Sequence, residues 1–414
     1  MQLRYRIPAG GHDMLSFDAA QSLFAGSVVP VADTEPVWLG LASGRVLARD
    51  VPARLDVPAA DKSAMDGYAI RMADWRRGQS FPVQQVCYAG SCPEPLAAGH
   101  AIRLFTGSLV PQGADTVIAD EHAVLSEDKV SFLRAPVAGR NIRRQGEDAR
   151  AGGPLLSAGT LLRPGHIAAL ASQGVTTIPA VRLVEVALLI SGDEVAAHDE
   201  PLGRHQIHDI NGPMLESLVE SLGAIVVTRK YIRDEERAVH QSLLELVDDA
   251  DIVLLTGGAS GGVRDLAAPA LVSAGGELLF HQVNMKPGKP VAVGRLRAKP
   301  VVCLPGNPAA AYTTFALLVT PMLRKLQGRA QIYPAVSHVR VDLGKREKGQ
   351  RDEFWRATRV ARQVGYDRAQ VHSQQGAASV SALGDAAGFI RVSPQADIAA
   401  YDLVPYYDLR CWLA

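Results

Sequence analysis

Asp193 and Glu194 directly follow an apolar run, Leu183 to Ile190, and neighbouring carboxylates in that position repel each other unless a cation or a donor sits between them. Magnesium suits such a pair, because it takes oxygen ligands from one or two carboxylates and completes its shell with substrate phosphates and water. The alternative has one carboxylate capping the turn while its neighbour is solvated. The stretch Thr256-Gly257-Gly258-Ala259-Ser260-Gly261-Gly262 concentrates backbone amides that side chains leave open, a cradle for phosphate or another oxyanion at a helix start. It is not a P-loop, since no Gly-Lys-Ser/Thr follows. Asp265, just past that loop, caps the next helix or holds a cation. Lys286 and Lys289 bracket a Pro-Gly step; they suit a small dianion, or stand as two solvated lysines on a surface turn. Pro305 and Pro308 fix a loop whose Asn307 donates to a ligand or starts a helix.

Two further carboxylates lie in the N-terminal half. Asp66 sits in a buried-looking apolar context, Asp61 to Ala69, directly before a glycine that permits positive φ or close approach and a tyrosine that supplies a rigid wall. Read by itself, Asp66-Gly67 is also compatible with a turn in which the Asp side chain bonds its own backbone. Asp148 follows Gly146-Glu147 beside Arg140, Arg143 and Arg144, a grouping that by itself makes a solvated, salt-bridged surface.

The elements that must carry these residues follow from periodicity. From about Val184 an apolar run, a Gly-rich or acidic loop and a helical period repeat, the signature of a parallel α/β sheet. Leu183 to Ile190, Ala224 to Val227, Asp251 to Leu255 and Val301 to Leu304 are predicted strands. Met214, Leu215, Leu218, Val219 and Leu222 recur at helical spacing before Gly223, and Ala309 to Leu326 is a predicted helix. The candidate loops thus sit at the carboxyl ends of strands, where open α/β sheets bind ligands. Residues 51–150 are mostly β, with short runs such as Phe81 to Val86 and Ala101 to Phe105. Gly159 to Gly174 carries a short helix with Ile167, Ala168 and Leu170 on one side. Runs at Val336 to Val341, Glu353 to Thr358, Gly388 to Val392 and Ala399 to Val404 point to a C-terminal β domain.

Composition sets outer bounds. A chain of 414 residues, 47% hydrophobic and 21% charged, exceeds what one core supports and is far from disordered. Lys plus Arg equals Asp plus Glu at 43 each, which removes any global electrostatic case for nucleic acid or a membrane surface. Cys87, Cys92, Cys303 and Cys411 lack a paired zinc spacing, and no His-Glu-x-x-His or Cys/His nucleophile pair appears. His205 and His208, near Asp209 and Asn211, fit a surface pair better than a metal site. With no apolar h-region from Met1 to Leu15 and no long uncharged apolar run, a cytoplasmic location is expected.

The segments Ser63 to Ala69, Thr106-Gly107 with Pro111 to Asp115, Gly146-Glu147-Asp148, Ser191-Gly192-Asp193-Glu194, Thr256-Gly257-Gly258, Lys286 to Pro290 and Leu304 to Pro308 occur in the order found in one family. Over nearly its whole length the chain resembles the molybdopterin molybdenumtransferases, which include bacterial MoeA and the gephyrin E domain. The resemblance implies an elongated homodimer of multidomain α/β subunits. An N-terminal helix (residues 1–26) packs on a three-layer molybdopterin-binding α/β domain (181–329); the remainder is a linking module (27–57 and 149–180), a β-rich insertion (58–148) and a C-terminal β domain (330–414). It implies insertion of molybdate-derived molybdenum into adenylylated molybdopterin with magnesium-assisted release of AMP. Asp66, Asp148, Glu194, Asp234 and Asp265 would be carboxylates around one composite site, with the insertion of the partner subunit near the α/β cleft. Glu194 and Asp265 would hold magnesium or its waters, and Lys286 and Lys289 would bind molybdate or phosphate. Thr106, Thr256, Gly257, Gly258, Ser260, Gly261, Pro305, Asn307 and Pro308 would complete the substrate contacts. Adenylyltransferase and molybdoenzyme maturation proteins are the implied protein partners. Lys62, where the family usually has Asn, and Gln374-Gln375-Gly376-Ala377-Ala378-Ser379, which lacks the usual Ser-Gly, depart from the pattern and allow a specialised, for example tungstate-preferring, paralogue. The related molybdopterin adenylyltransferase would lack the Ser63 to Ala69 and Gly146 to Asp148 segments. A non-catalytic scaffold would have lost the acidic residues, which are intact here.

Overall fold

The computed structural model describes residues 14–197, 201–257, 266–344, 348–361 and 365–414. Its centre is a six-stranded sheet in the order Ile225–Ile232, Glu185–Ser191, Ile252–Thr256, Lys299–Leu304, Ala292–Leu296, Glu277–His281. The first four strands are parallel, and Glu185–Ser191 is buried along nearly its whole length because both faces are covered. Val186, Leu188 and Ile190 point to one side, where they pack with Leu215, Leu218 and Val219 of the Asn211–Ser221 helix. Ala187 and Leu189 point to the other side and meet Val239, Leu243 and Leu246 of Glu236–Asp249. The result is a helix–sheet–helix sandwich of three layers.

The four strands expected from the sequence are parallel, and two strands the sequence reading did not include extend the sheet. Ala292–Leu296 runs antiparallel to both neighbours, joined to Lys299–Leu304 through Arg297 (φ 50°) and Ala298 (φ 66°). Two successive positive-φ residues make the tight turn that matches strand twist, but without Asn or Gly the pair carries no hairpin signal. The expected helix from Ala309 to Leu326 also differs in detail: Pro308–Thr314 and Thr320–Leu326 flank a π-helical turn, Phe315–Val319, whose residues are all buried. Pro321 explains it, since a proline has no N–H to donate and its ring crowds the carbonyl four residues back; the wider turn relieves both. The Ile225–Ile232 strand runs well past the expected Val227.

A second six-stranded sheet, built from residues between Gly67 and Phe132, holds Gly67–Ile70 between Thr116–Ala119 and Ala101–Leu104. Gly67 is required here: a Cβ at that position would lie 2.0 Å from the Ile118 carbonyl oxygen. Between the two sheets, Thr34–Trp38 pairs with Thr177–Val181 and Val51–Pro52 with Pro154–Leu156, over a core that includes Leu47, Leu162 and Leu170 of the Pro164–Ser172 helix.

The C-terminal region forms a third six-stranded sheet that recruits Met285–Lys286 from the central region, parallel to the start of Asp352–Val360. The Phe17–Gly26 helix, capped by Ser16, bridges the central and C-terminal sheets. Phe17 packs 4.6 Å from Phe354, and Arg391 bonds both Asp18 oxygens at 2.7 Å while its Nε reaches Asp352 at 2.7 Å. Among the described residues no helix is long and apolar enough to cross a membrane.

Candidate functional site

A cleft of about 460 Å³ opens at the carboxyl ends of the parallel strands. Ser191 and Glu194 come from the end of Glu185–Ser191 and the turn after it, Asp234 from the loop after Ile225–Ile232, Thr256 and Gly257 from the end of Ile252–Thr256, and Pro305, Asn307 and Pro308 from the loop after Lys299–Leu304. Ala378, from the C-terminal region, closes one side, and the Ala377 carbonyl accepts the Ala309 amide at 3.0 Å, pinning that segment against the Pro308–Thr314 helix.

The strand ends are fastened to each other in detail. The Asn211 amide donates to Thr256 Oγ1 and to the Gly306 carbonyl, each at 2.8 Å, and so ties two loops to the start of the intervening helix. Its Oδ1 is buried and accepts no hydrogen bond among the described residues, which leaves an acceptor at the cleft wall. Asp209 is 2% exposed; it takes the Gly212 amide at 2.9 Å and the Tyr231 hydroxyl at 3.0 Å. The sequence reading treated Asp209 and Asn211 only as neighbours of a histidine pair. Their signal was an Asx-x-Asx stretch immediately before an apolar helical period. Gly257 has φ 92°, and a Cβ there would meet the Ser191 carbonyl at 2.3 Å, so this glycine is demanded by the close approach of two strand ends.

Among the acidic residues, the pair Asp193-Glu194 divides. Asp193 accepts the Asp234 amide at 3.3 Å and so braces the loop, whereas Glu194 lines the cleft and its carboxylate accepts no hydrogen bond among the described residues. Asp234 also lines the cleft, with one oxygen taken by the Ser191 hydroxyl at 2.6 Å. Gly258, Ser260, Gly261 and Asp265 lie outside the described residues. Among those described, no group of three or more His, Cys, Asp or Glu is placed to hold a metal ion. Two hard carboxylates facing one cleft, one unengaged and one half-engaged, nevertheless have the donor chemistry magnesium takes.

Lys286 and Lys289 do not line this cleft, although Pro290 does. The Lys286 ammonium is held at 3.1 Å by Glu353, a buried carboxylate that also accepts from Trp355 Nε1 at 3.0 Å. Arg356, which sequence reading passed over, is 1% exposed and donates to the Gln374 and Gly376 carbonyls, while the Gln375 amide bonds the Arg356 backbone in both directions. Burial pulls the Arg356 pKa below its ordinary value. Its signal was weak, one arginine among many in a β-rich stretch.

Asp66, Thr106 and Asp148 stand on other parts of the chain, and none lines the cleft. The buried-looking context of Asp66 belongs to its neighbours: Gly67 to Ile70 are buried, while Asp66 itself is exposed because it precedes the strand. The Thr106 amide and hydroxyl both bond Asp66 Oδ1 at 2.7 Å, and these bonds, the backbone one foremost, hold its carboxyl below the usual carboxylate range. Asp148 is exposed; the adjacent basic group pairs instead with Glu147 and Asp61.

Comparison with known proteins agrees with this geometry at both ends of the chain. Residues 15–174 match the model described as MoeA N-terminal region (domain I and II), and residues 187–325 match the one described as probable molybdopterin binding domain. A molybdopterin molybdenumtransferase of Haemophilus influenzae is 35% identical over 320 residues, covering 77% of this chain and 79% of that protein. The chain belongs to the molybdopterin molybdenumtransferase family. A Nostoc molybdopterin molybdenumtransferase is 37% identical over 72% of this chain and 71% of its own length. The crystal structure of a molybdopterin biosynthesis moeA protein from Pyrococcus horikoshii superimposes with a TM-score of 0.81 at 27% identity, over 96% of this chain and all of that one. The protein is therefore an enzyme of molybdenum cofactor biosynthesis, a multidomain α/β transferase. The N-terminal match spans Asp66, Thr106 and Asp148, and the second spans the strand-end residues from Glu194 to Pro308.

Proposed function

We propose that this molybdenumtransferase inserts molybdate-derived molybdenum into adenylylated molybdopterin, with magnesium-assisted release of AMP, in a homodimer. In that dimer the insertion of one subunit faces the α/β cleft of the other. The observation that carries the reading is the convergence of Glu194, Asp234, Thr256, Gly257 and Asn307 on one cleft while the Asp66–Thr106 pair stands exposed elsewhere. Cleaving a phosphoanhydride is chiefly positioning and charge neutralisation. Glu194 and Asp234 would hold magnesium or its waters, and bound magnesium would neutralise the phosphate charge. Within the chain itself, Asn211 keeps the Thr256 and Gly306 walls at a fixed spacing. Asn307, at the entry to the Pro308–Thr314 helix, presents its amide to the nucleotide end. Lys286 and Lys289 would supply positive charge for the oxyanion from the side of the C-terminal sheet. We take residues 27–57 with 149–180, 58–148, 181–329 and 330–414 as the corresponding domains, a division supported by the segregation of the sheets. The test is AMP release from adenylylated molybdopterin with magnesium, titrated with molybdate and then tungstate. Oxyanion-dependent release that is abolished in both Glu194→Ala and Asp66→Ala is expected; release that persists in Glu194→Ala contradicts the reading.

A further inference from the structure

The insertion brings two thiols together at a turn that the strand-end cleft does not use. Ser80–Cys87 ends at Cys87, which is buried, and the chain then reverses from Tyr88 to Ser91. The Ser91 amide donates to the Tyr88 carbonyl at 3.0 Å, and Gly90 takes φ 88°. A four-residue turn closed in this way sets the residues that flank it, Cys87 and Cys92, across from each other. The Cys87 thiol lies over the turn, 3.8 Å from the Tyr88 carbonyl oxygen and 3.8 Å from that of Ser91, and the Ser91 carbonyl belongs to the peptide unit that leads into Cys92. Cys92 itself is exposed, and its sulfur makes a long contact of 3.9 Å with the adjacent Pro93 carbonyl. Burial pushes the Cys87 thiol above its ordinary range and the Cys92 sulfur adds to the effect, so the two sulfurs feel each other. Cys303 and Cys411 stand elsewhere, on Lys299–Leu304 and Leu409–Trp412.

The same turn packs on the segment that holds Asp66. The Cys87 carbonyl accepts the Phe105 amide at 3.4 Å and the Ser108 hydroxyl at 2.9 Å. Tyr88 stacks on Phe105 with 4.7 Å between ring centroids and 7° between planes. Thr106, the donor of both bonds to Asp66 Oδ1, lies between Phe105 and Ser108.

We infer that Cys87 and Cys92 are a redox modification site, closing a reversible disulfide that locks the Tyr88–Ser91 turn against the Thr106 segment. The fold already supplies the approach, and turning the exposed Cys92 side chain closes the remaining gap. Oxidised glutathione is an oxidant of the required class. The Cys92 thiolate attacks it and releases one glutathione thiolate; the Cys87 thiolate then attacks the Cys92 sulfur of the mixed disulfide and releases the second. Two protein thiols are oxidised, one glutathione disulfide is reduced to two thiols, and the two protons pass to the released glutathione. Cys92 reacts first because it is exposed, and Cys87 resolves. A short loop ending on an exposed sulfur makes a disulfide of the labile, reversible kind. No step uses the strand-end cleft, so the inference stands apart from the transferase reading.

The experiment incubates the intact protein in buffers of rising oxidised-to-reduced glutathione ratio, blocks thiols with N-ethylmaleimide in denaturant and digests with trypsin. No Lys or Arg lies between Arg77 and Arg103, so one peptide carries both cysteines. That peptide is expected to lose two hydrogens and both maleimides as the ratio rises, to regain them with dithiothreitol, and to show no bridge in Cys92→Ser. Two maleimides at the most oxidising ratio, or glutathione on Cys92 beside a maleimide on Cys87, overturn the assignment. Amide hydrogen exchange tests the coupling: oxidation is expected to slow exchange several-fold both in the turn and from Phe105 to Ser108. Slowing confined to the turn overturns the lock on the Thr106 segment, and slowing that persists in Cys92→Ser overturns the bridge as its cause.

Discussion

The strand-end cleft and the Asp66 face are built on opposite terms. In the cleft, polar side chains fasten one loop to the next: Asn211 to Thr256 and Gly306, Ser191 to Asp234, Asp209 to Tyr231. The loops at Ser191, Thr256 and Gly306 emerge from strands buried on both faces, which holds their geometry. On the insertion, Asp66 stands exposed at the entrance to a strand, where, among the described residues, its carboxylate is anchored by Thr106. On the proposed reading, the cleft holding Glu194 and Asp234 and the exposed Asp66 carboxylate are the two halves of a site shared between subunits.

The contrast is sharpest at two glycines. Gly67→Ala drives a Cβ to 2.0 Å from the Ile118 carbonyl, and Gly257→Ala drives one to 2.3 Å from that of Ser191. Both meet backbone, which cannot swing aside, so each is expected to cost on the order of 4 kcal/mol or to prevent folding of its own region. Differential scanning calorimetry should show the Gly67 variant losing the insertion's transition and the Gly257 variant that of the central domain. Loss of both transitions in either variant would show that the two regions are not separable.

Asn211→Ala removes two hydrogen bonds that join separate loops. The expected loss is about 2–3 kcal/mol of stability together with a fall in AMP release larger than that stability loss explains, since the cleft walls separate. Unchanged kinetics in the variant would mean that the loops are fixed by packing.

A smaller effect concerns Asp66. Its folded pKa is depressed, so the stabilisation from the Thr106 bonds is present above the unfolded carboxylate pKa and is lost as pH falls through the lower folded value. In a carbon-detected NMR titration, Thr106→Val should move the Asp66 midpoint upward toward the usual carboxylate range. A midpoint that stays put would remove the Thr106 hydroxyl as a cause and leave the shift to the Thr106 backbone amide. Smallest is Glu353→Gln, which frees Lys286. Because the Lys286 side chain is 59% exposed, about 1 kcal/mol or less of stability is expected to go. The informative change is in the apparent affinity for molybdate, and an unaltered value would argue that Lys286 does not meet the oxyanion.

Much of this was legible in the residues. Apolar runs that end in Gly- and Asp-containing loops announced the buried parallel strands and placed Glu194, Thr256 and Asn307 at their carboxyl ends, because burial on both faces leaves a nearly continuous hydrophobic signature. The antiparallel hairpin was not legible, since Arg297 and Ala298 adopt positive φ without the residues that usually advertise it. Nor was the role of Asn211, whose partners lie 45 and 95 residues away.

The most direct test of a shared site is complementation between subunits. Asp66→Ala and Glu194→Ala chains carrying different tags would be co-expressed, the mixed dimers purified, and AMP release compared with that of each variant alone. If the site takes Asp66 from one subunit and Glu194 from its partner, each mixed dimer holds one intact site, and activity returns to about half of wild type per dimer while both parent variants stay inactive. Mixed dimers as inactive as their parents would place both residues in the same chain's site and contradict the account.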